Sequence, residues 1–154
     1  MKIKAIALLF LVMAWFSCGE KKSQDVTSEP AKEEVKTEAA DADPMKNKGI
    51  GPVSSISLGE IDEAMVASGE VAFKAKCTAC HKISKRHIGP GLKGVTERRS
   101  PEWIMNMILN PEEMVQNDPI AKQLLVEYNG APMANQNLTE EEARSILEYF
   151  RTKK

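Results

Sequence analysis

Cysteine and histidine are scarce in this chain of 154 residues: three of the first, two of the second. A small exported domain stapled by disulfides carries a dense, even set of cysteines. A structural zinc site needs four ligands, usually as two closely spaced pairs. Here only Cys77 and Cys80 form such a pair. Aromatic residues make up 5% of the chain, and none falls between Gly19 and Ser55. No apolar run reaches the roughly 20 residues that span a bilayer. Acids and bases nearly cancel, with a formal net charge of −1, so composition argues for neither nucleic acid nor an anionic membrane surface. No internal repeat occurs, and no alternating strand pattern of useful length.

What is present divides the chain into three parts. "MKIKAIALLFLVMAWFSC" opens with Lys2 and Lys4 and an apolar run from Ala5 to Phe16. A basic start, an apolar middle and a small residue near the end are the marks of a secretory signal. "WFSC" resembles the lipobox of bacterial lipoproteins, with Ser17 before the cysteine, and departs from it at Trp15. The reading is a lipoprotein signal peptide over 1–17 and lipid on Cys18. Lipidation also accounts for the odd cysteine of an exported chain. From 18 to 55 the chain is rich in Glu, Lys, Ala, Ser and Asp and has no apolar period. Such a segment buries too little surface to offset its ordering entropy. It reads as a disordered linker whose ends average about 35 Å apart.

The third part, 56–154, has helical periodicity. "SLGE" at Ser57–Glu60 matches a capping box. Ile61, Met65, Gly69 and Phe73 then recur every four residues. The spacing predicts a helix from about Leu58 to Lys76. Ser100 and Pro101 open another, with Trp103, Ile104, Met107 and Ile108 on its apolar face, and Asn110-Pro111 stops it. "PIAKQLLVEYNG" reads as a short helix ended by Gly130. Thr139 caps a last helix with Glu142 three residues on and Ile146, Leu147, Tyr149 and Phe150 in its final turns. The fold expected is all-α, with about four helices.

Between the first and second helices stands "KCTACHKISKRHIGPGL", from Lys76 to Leu92. A thioredoxin-type Cys-x-x-Cys belongs in a βαβ unit, which this chain lacks. Covalent haem is the remaining chemistry. Two thiols one helical turn apart reach neighbouring porphyrin vinyl groups, and the next residue, His81, comes beneath the iron. Cys77-x-x-Cys80-His81 is the attachment signature of one c-type haem, and export agrees with it.

The motif and its surroundings resemble a class I, monohaem cytochrome c over roughly Ser57 to Thr152. In that family the helix before the motif carries a glycine and an aromatic, here Gly69 and Phe73, where the last helix crosses with its own aromatic, here Tyr149 beside Phe150. The resemblance implies a cytochrome c fold around the haem, a Pro90 carbonyl that accepts the second N–H of His81, and Trp103 as a haem-edge contact. It also implies a methionine as second axial ligand, in a loop before the last helix. "YNGAPMANQNLTEE" places Met133 there, with Pro132 before it where the family often has proline after. Met65, Met105, Met107 and Met114 lie on helices and read as core filling, and His87 as a solvated loop histidine.

His/Met ligation raises the potential and fills both axial positions. The role implied is that of a one-electron carrier and not an enzyme. Its partners would be a membrane respiratory complex as donor and a terminal oxidase or reductase as acceptor. The protein would be a monomer, lipid-anchored on the periplasmic side of a bacterial membrane. The alternative is a haem-based small-ligand sensor or a haem subunit of an oxidoreductase. From Lys74 to Lys93 there is no acid, while Lys74, Lys76, Lys82, Lys85, Arg86 and Lys93 lie in the same stretch. Such a basic rim suits an acidic redox partner.

Overall fold

The computed structural model describes residues 43–154. The expected signal peptide, Cys18 and most of the expected linker lie outside the described residues. The order of elements is α1 Glu63–Lys76, a 3₁₀ turn Val95–Glu97, α2 Pro101–Leu109, α3 Pro111–Asn117, α4 Pro119–Glu127 and α5 Glu140–Arg151. Among the described residues there is no strand, so the fold is all-α, with five helices where about four were expected. None of these helices is long and apolar enough to cross a membrane.

Helix α1 begins later than its periodicity predicts. Asp62, not Ser57, is its cap, and its carboxylate accepts from the amides of Ala64 and Met65 at 2.9 and 3.0 Å. Gly59 falls in the expected first turn, where glycine costs about 1 kcal/mol relative to alanine. Its carbonyl accepts from Arg151 on α5 at 2.8 Å instead. The segment before Asp62 is thus held by α5, and Ile61, placed on the apolar stripe, is exposed.

Three successive helices open in one way: a polar residue, then proline at the first helical position. Proline has no N–H to offer, and the first turn of a helix leaves that group unpaired anyway. Pro111 therefore ends α2, as expected, and also starts α3, which the sequence reading left out. Helix α5 has its full capping box, with Thr139 N donating to Glu142 at 2.8 Å and Glu142 N to the Thr139 hydroxyl at 3.2 Å.

Helices α1 and α5 cross at Gly69. A β-carbon there would collide with the Ser145 carbonyl, so only glycine permits the approach. Next to the crossing, the Phe73 ring lies 5.5 Å from Tyr149 and 5.6 Å from Phe150. Behind it Glu148 is fully buried, and both Arg144 and Arg151 reach its carboxylate.

The packed structure starts before Ile56, within the expected linker. Val53 is 4% exposed and belongs to the core. Its N–H and carbonyl are both taken by the side chain of buried Asn106, at 3.0 and 2.9 Å. Ser100 Oγ donates to the Asn47 carbonyl at 2.5 Å, and Ile50 N to Met114 Sδ at 3.0 Å. Residues 47–53 form a strap across α2 and α3. Sequence periodicity misses it because backbone and amide groups, rather than an apolar stripe, hold it.

Candidate functional site

Cys77 closes α1, its N–H still bonded to Phe73 O at 2.9 Å. One more turn follows, with the amides of Cys80 and His81 donating to Cys77 O at 3.1 and 2.9 Å. The motif is therefore a continuation of α1 that brings Cys77, Cys80 and His81 to one mostly apolar cavity of about 250 Å³. The chain from His81 onward then folds back under backbone bonds: Gly89 N to Cys80 O, Leu92 N to Lys82 O and Lys93 N to Ile83 O, at 2.9, 3.1 and 2.7 Å.

This return loop fixes the imidazole. His81 Nδ1 lies 3.1 Å from the Pro90 carbonyl, a bond that only a protonated Nδ1 can donate. The other nitrogen, Nε2, is then a free lone pair, with no partner among the described residues. One face of the ring rests on Gly89, where a β-carbon would come within 2.5 Å of Cε1. Burial lowers the imidazole's pKa below its ordinary value, against the opposing Pro90 carbonyl. Burial thus favours the neutral ring, the form able to act as a ligand. Burial likewise pushes the Cys77 thiol up to about 11, with Cys80 adding to the shift. Such a sulfur is poorly suited to stay as a thiolate but well suited to an uncharged thioether. Neither cysteine is in a disulfide.

Across the cavity stand Trp103, Ile104, Met107 and Ile108 from α2, with Leu124 and Tyr128 at the end of α4. Met133 reaches the same cavity from the loop before α5. Trp103 is buried, and its indole N–H is committed to Asp118 at 3.1 Å, so only the ring can face the cavity. His87 is exposed and lies away from the cavity lining. Met105 and Met114 are fully buried core residues.

Sequence reasoning missed two features. Met107, read as core, also lines the cavity one turn after Trp103. The signal was there: positions i and i+4 share a helix face. Lys76, Arg98 and Arg99 also border the cavity. Arg99 sits over the Trp103 ring at 5.4 Å, and burial lowers its pKa, with Arg98 adding to the shift. Lys76 ends α1 and was already counted in the basic rim, whereas the place of Arg98 and Arg99 follows from the 3₁₀ turn, which no local pattern announces. Part of the basic rim is also tied down: Lys74 pairs with Glu70 at 2.8 Å, and Lys82 donates to Thr78 O at 2.6 Å. Arg86 donates to Glu127 O at 2.7 Å and lies 4.1 Å from the centre of the Tyr128 ring.

Two thiols, one oriented imidazole and two methionine thioethers around an apolar cavity suit a flat apolar group bonded through sulfur and ligated axially. The family model for cytochrome c matches residues 66–154. Cytochrome c-551 of Ectopseudomonas mendocina is 33% identical over 94 residues, which are 57% of this chain and 100% of that one. A solved cytochrome c from Rhodothermus marinus has 52% identity and a TM-score of 0.64, covering 66% of this chain and 88% of that one. An engineered form of the Rhodothermus marinus protein, bound to a carbene intermediate, has 51% identity and a TM-score of 0.61 over the same 66% and 88%. Matched over more than half its length, and folded as its solved relatives are, the chain belongs to the cytochrome c family, whose members carry one covalent c-type haem and pass electrons through it.

Proposed function

We propose that this chain is a class I one-electron carrier, with its haem bonded to Cys77 and Cys80 and ligated by His81 and Met133. The observation that carries the reading is the single cavity onto which all four residues open, with His81 held in the ligating tautomer by Pro90. Haem, once bound, supplies reversible one-electron exchange at iron. Pro90 and Gly89 set the height and tilt of the imidazole. Met133 would hold the iron as second ligand, and Trp103, Ile104 and Phe150, which line the same cavity, would keep water from the group. Arg98 and Arg99 would offer positive charge to the porphyrin's carboxylates.

Spectra of the full chain matured in cells that attach c-type haem test the ligand set. The ferric parent should show the weak far-red band of sulfur ligation, absent in Met133→Ala and kept in Met107→Ala. A band that survives in Met133→Ala moves the ligand to Met107.

The setting completes the proposal. Residues 1–17 direct export, Cys18 carries lipid, and the linker tethers the haem domain on the periplasmic side of a bacterial membrane. The linker runs to about Met45, since packing begins at Asn47. The monomer would shuttle electrons between a membrane respiratory complex and a terminal oxidase or reductase, docking through exposed Lys76, Lys85 and Lys93. Cys18→Ala should release the protein from the membrane fraction. A second reading, a small-ligand sensor or oxidoreductase subunit, draws on the carbene-bound engineered relative. Rapid CO binding by the ferrous parent would favour it.

A further inference from the structure

Asp118 is a buried carboxylate that ligation and docking do not use. It is 2% exposed, and among the described residues no cation lies within ion-pair distance. Three groups donate to it: Trp103 Nε1 and Ala121 N to Oδ1 at 3.1 and 2.8 Å, and Asn47 Nδ2 to Oδ2 at 2.6 Å. The Asn47 amide cannot be flipped, because its Oδ1 accepts from Gly49 N at 2.8 Å. Indole, backbone and amide N–H groups have no lone pair to offer, so a protonated Asp118 would have no acceptor here. The site is built for an anion.

A buried charge is costly and is retained only where something compensates it; beyond ion-pair distance, Arg99 over the Trp103 ring also feels the Asp118 charge. Two of its three donors, Trp103 and Ala121, are themselves lining residues of the cavity. The negative charge thus stands one side chain behind the haem wall. We propose that Asp118 tunes the electron carrier: its fixed charge favours the ferric over the ferrous state and lowers the reduction potential. The inference rests on the haem reading above. Asn47, six residues before Val53, supplies the third donor.

Reduction potentials of the full-length holoprotein decide the matter. Asp118→Asn and Asp118→Ser are both neutral, and both can still cap α4. Either should raise the reduced-to-oxidised ratio at a fixed mediator potential by about three- to tenfold, from Coulomb's law at an effective dielectric of about 20. A tenfold change is about 59 mV for one electron. Val53→Ala, which loosens the strap without altering charge, should lower the melting temperature and leave the ratio unchanged. Ratios in both Asp118 variants within about 1.5-fold of the parent would overturn the proposal, as would an equal shift in Val53→Ala. The far-red band of the parent separates this outcome from a failure of the ligand reading. A parent without the band refutes Met133 ligation, while the ratio still reports what the Asp118 charge does.

Discussion

The two loops that face each other across the cavity are built differently. The chain from Cys80 to Lys93 is stitched back on itself by four backbone bonds, those donated by His87, Gly89, Leu92 and Lys93. Arg98 adds two more from outside, to Lys93 O and Gly91 O at 2.6 and 3.3 Å. Opposite, the chain from Tyr128 to Thr139 turns on left-handed residues, Asn129, Gly130 and Asn137. Its first residues bond back to α4, Tyr128 N to Leu124 O, Asn129 N to Val126 O and Gly130 N to Leu125 O. From Ala131 onward the links are Asn135 Nδ2 to Leu109 O at 3.3 Å and the side chains of Met133 and Leu138 on the core. The imidazole is therefore held by bonds within its own loop, whereas Met133, the proposed second ligand, stands on a loop with few bonds from Ala131 to Leu138. A flexible methionine side chain suits the second role.

Gly89→Ala should break this contrast most severely. The added carbon must displace the His81 ring, at a cost of about 2–3 kcal/mol in denaturant unfolding. The far-red ferric band should weaken with it. Gly130→Ala tests the opposite loop. Nothing lies near its would-be side chain, so the only penalty is a φ of +72°, worth about 1–2 kcal/mol. Equal losses in the two variants would mean that the loops are equally rigid.

Smaller effects sharpen the comparison where the adjustable loop meets α5. Thr139→Ala removes the cap and should cost about 1 kcal/mol, with the spectrum unchanged if the loop absorbs the change. Least of all is a pH effect at Glu142, whose carboxyl is held below its ordinary value first by the Thr139 amide and then by the Thr139 hydroxyl. A carboxyl depressed in the folded state contributes stability above its unfolded pKa and loses it as pH falls through the folded one. The parent's melting temperature should therefore drop faster than that of Glu142→Gln on acidification below the carboxyl's ordinary value of 4.5. Parallel acid profiles would show that the capping bond contributes nothing.

Much of the architecture was legible because its signals are local. Ser100-Pro101 and Thr139-x-x-Glu142 announced their helices through groups that bond within one turn. The start of α1 was misplaced because two capping patterns overlap: Ser57-x-x-Glu60 fits a motif, but Asp62 takes the amides. Helix α3 was missed because Pro111 was read only as a stop, although the same residue serves as a first helical position. Of the cavity, the motif cysteines and His81 were legible from spacing, and Pro90, Trp103 and Met133 from resemblance, as was Gly69 at the helix crossing. Met107 was placed on the right helix face but not in the cavity, and Asn106 and Asp118, behind the wall, left no signal.

By itself the sequence determined the chemistry that depends on neighbours along the chain. Two thiols and an imidazole in five residues can only sit on one turn, and a glycine and an aromatic one turn apart can only share a helix face. Tertiary structure alone decided which methionines meet the cavity, where the folded part begins, and that a carboxylate stands behind the Trp103 wall. Those outcomes depend on residues far apart in the chain: Asn47 with Asp118, Val53 with Asn106, Gly59 with Arg151. Hydrogen bonds across 50 or more residues leave no period in a sequence, because each needs only one polar group at each end and the rest of the fold to bring them together.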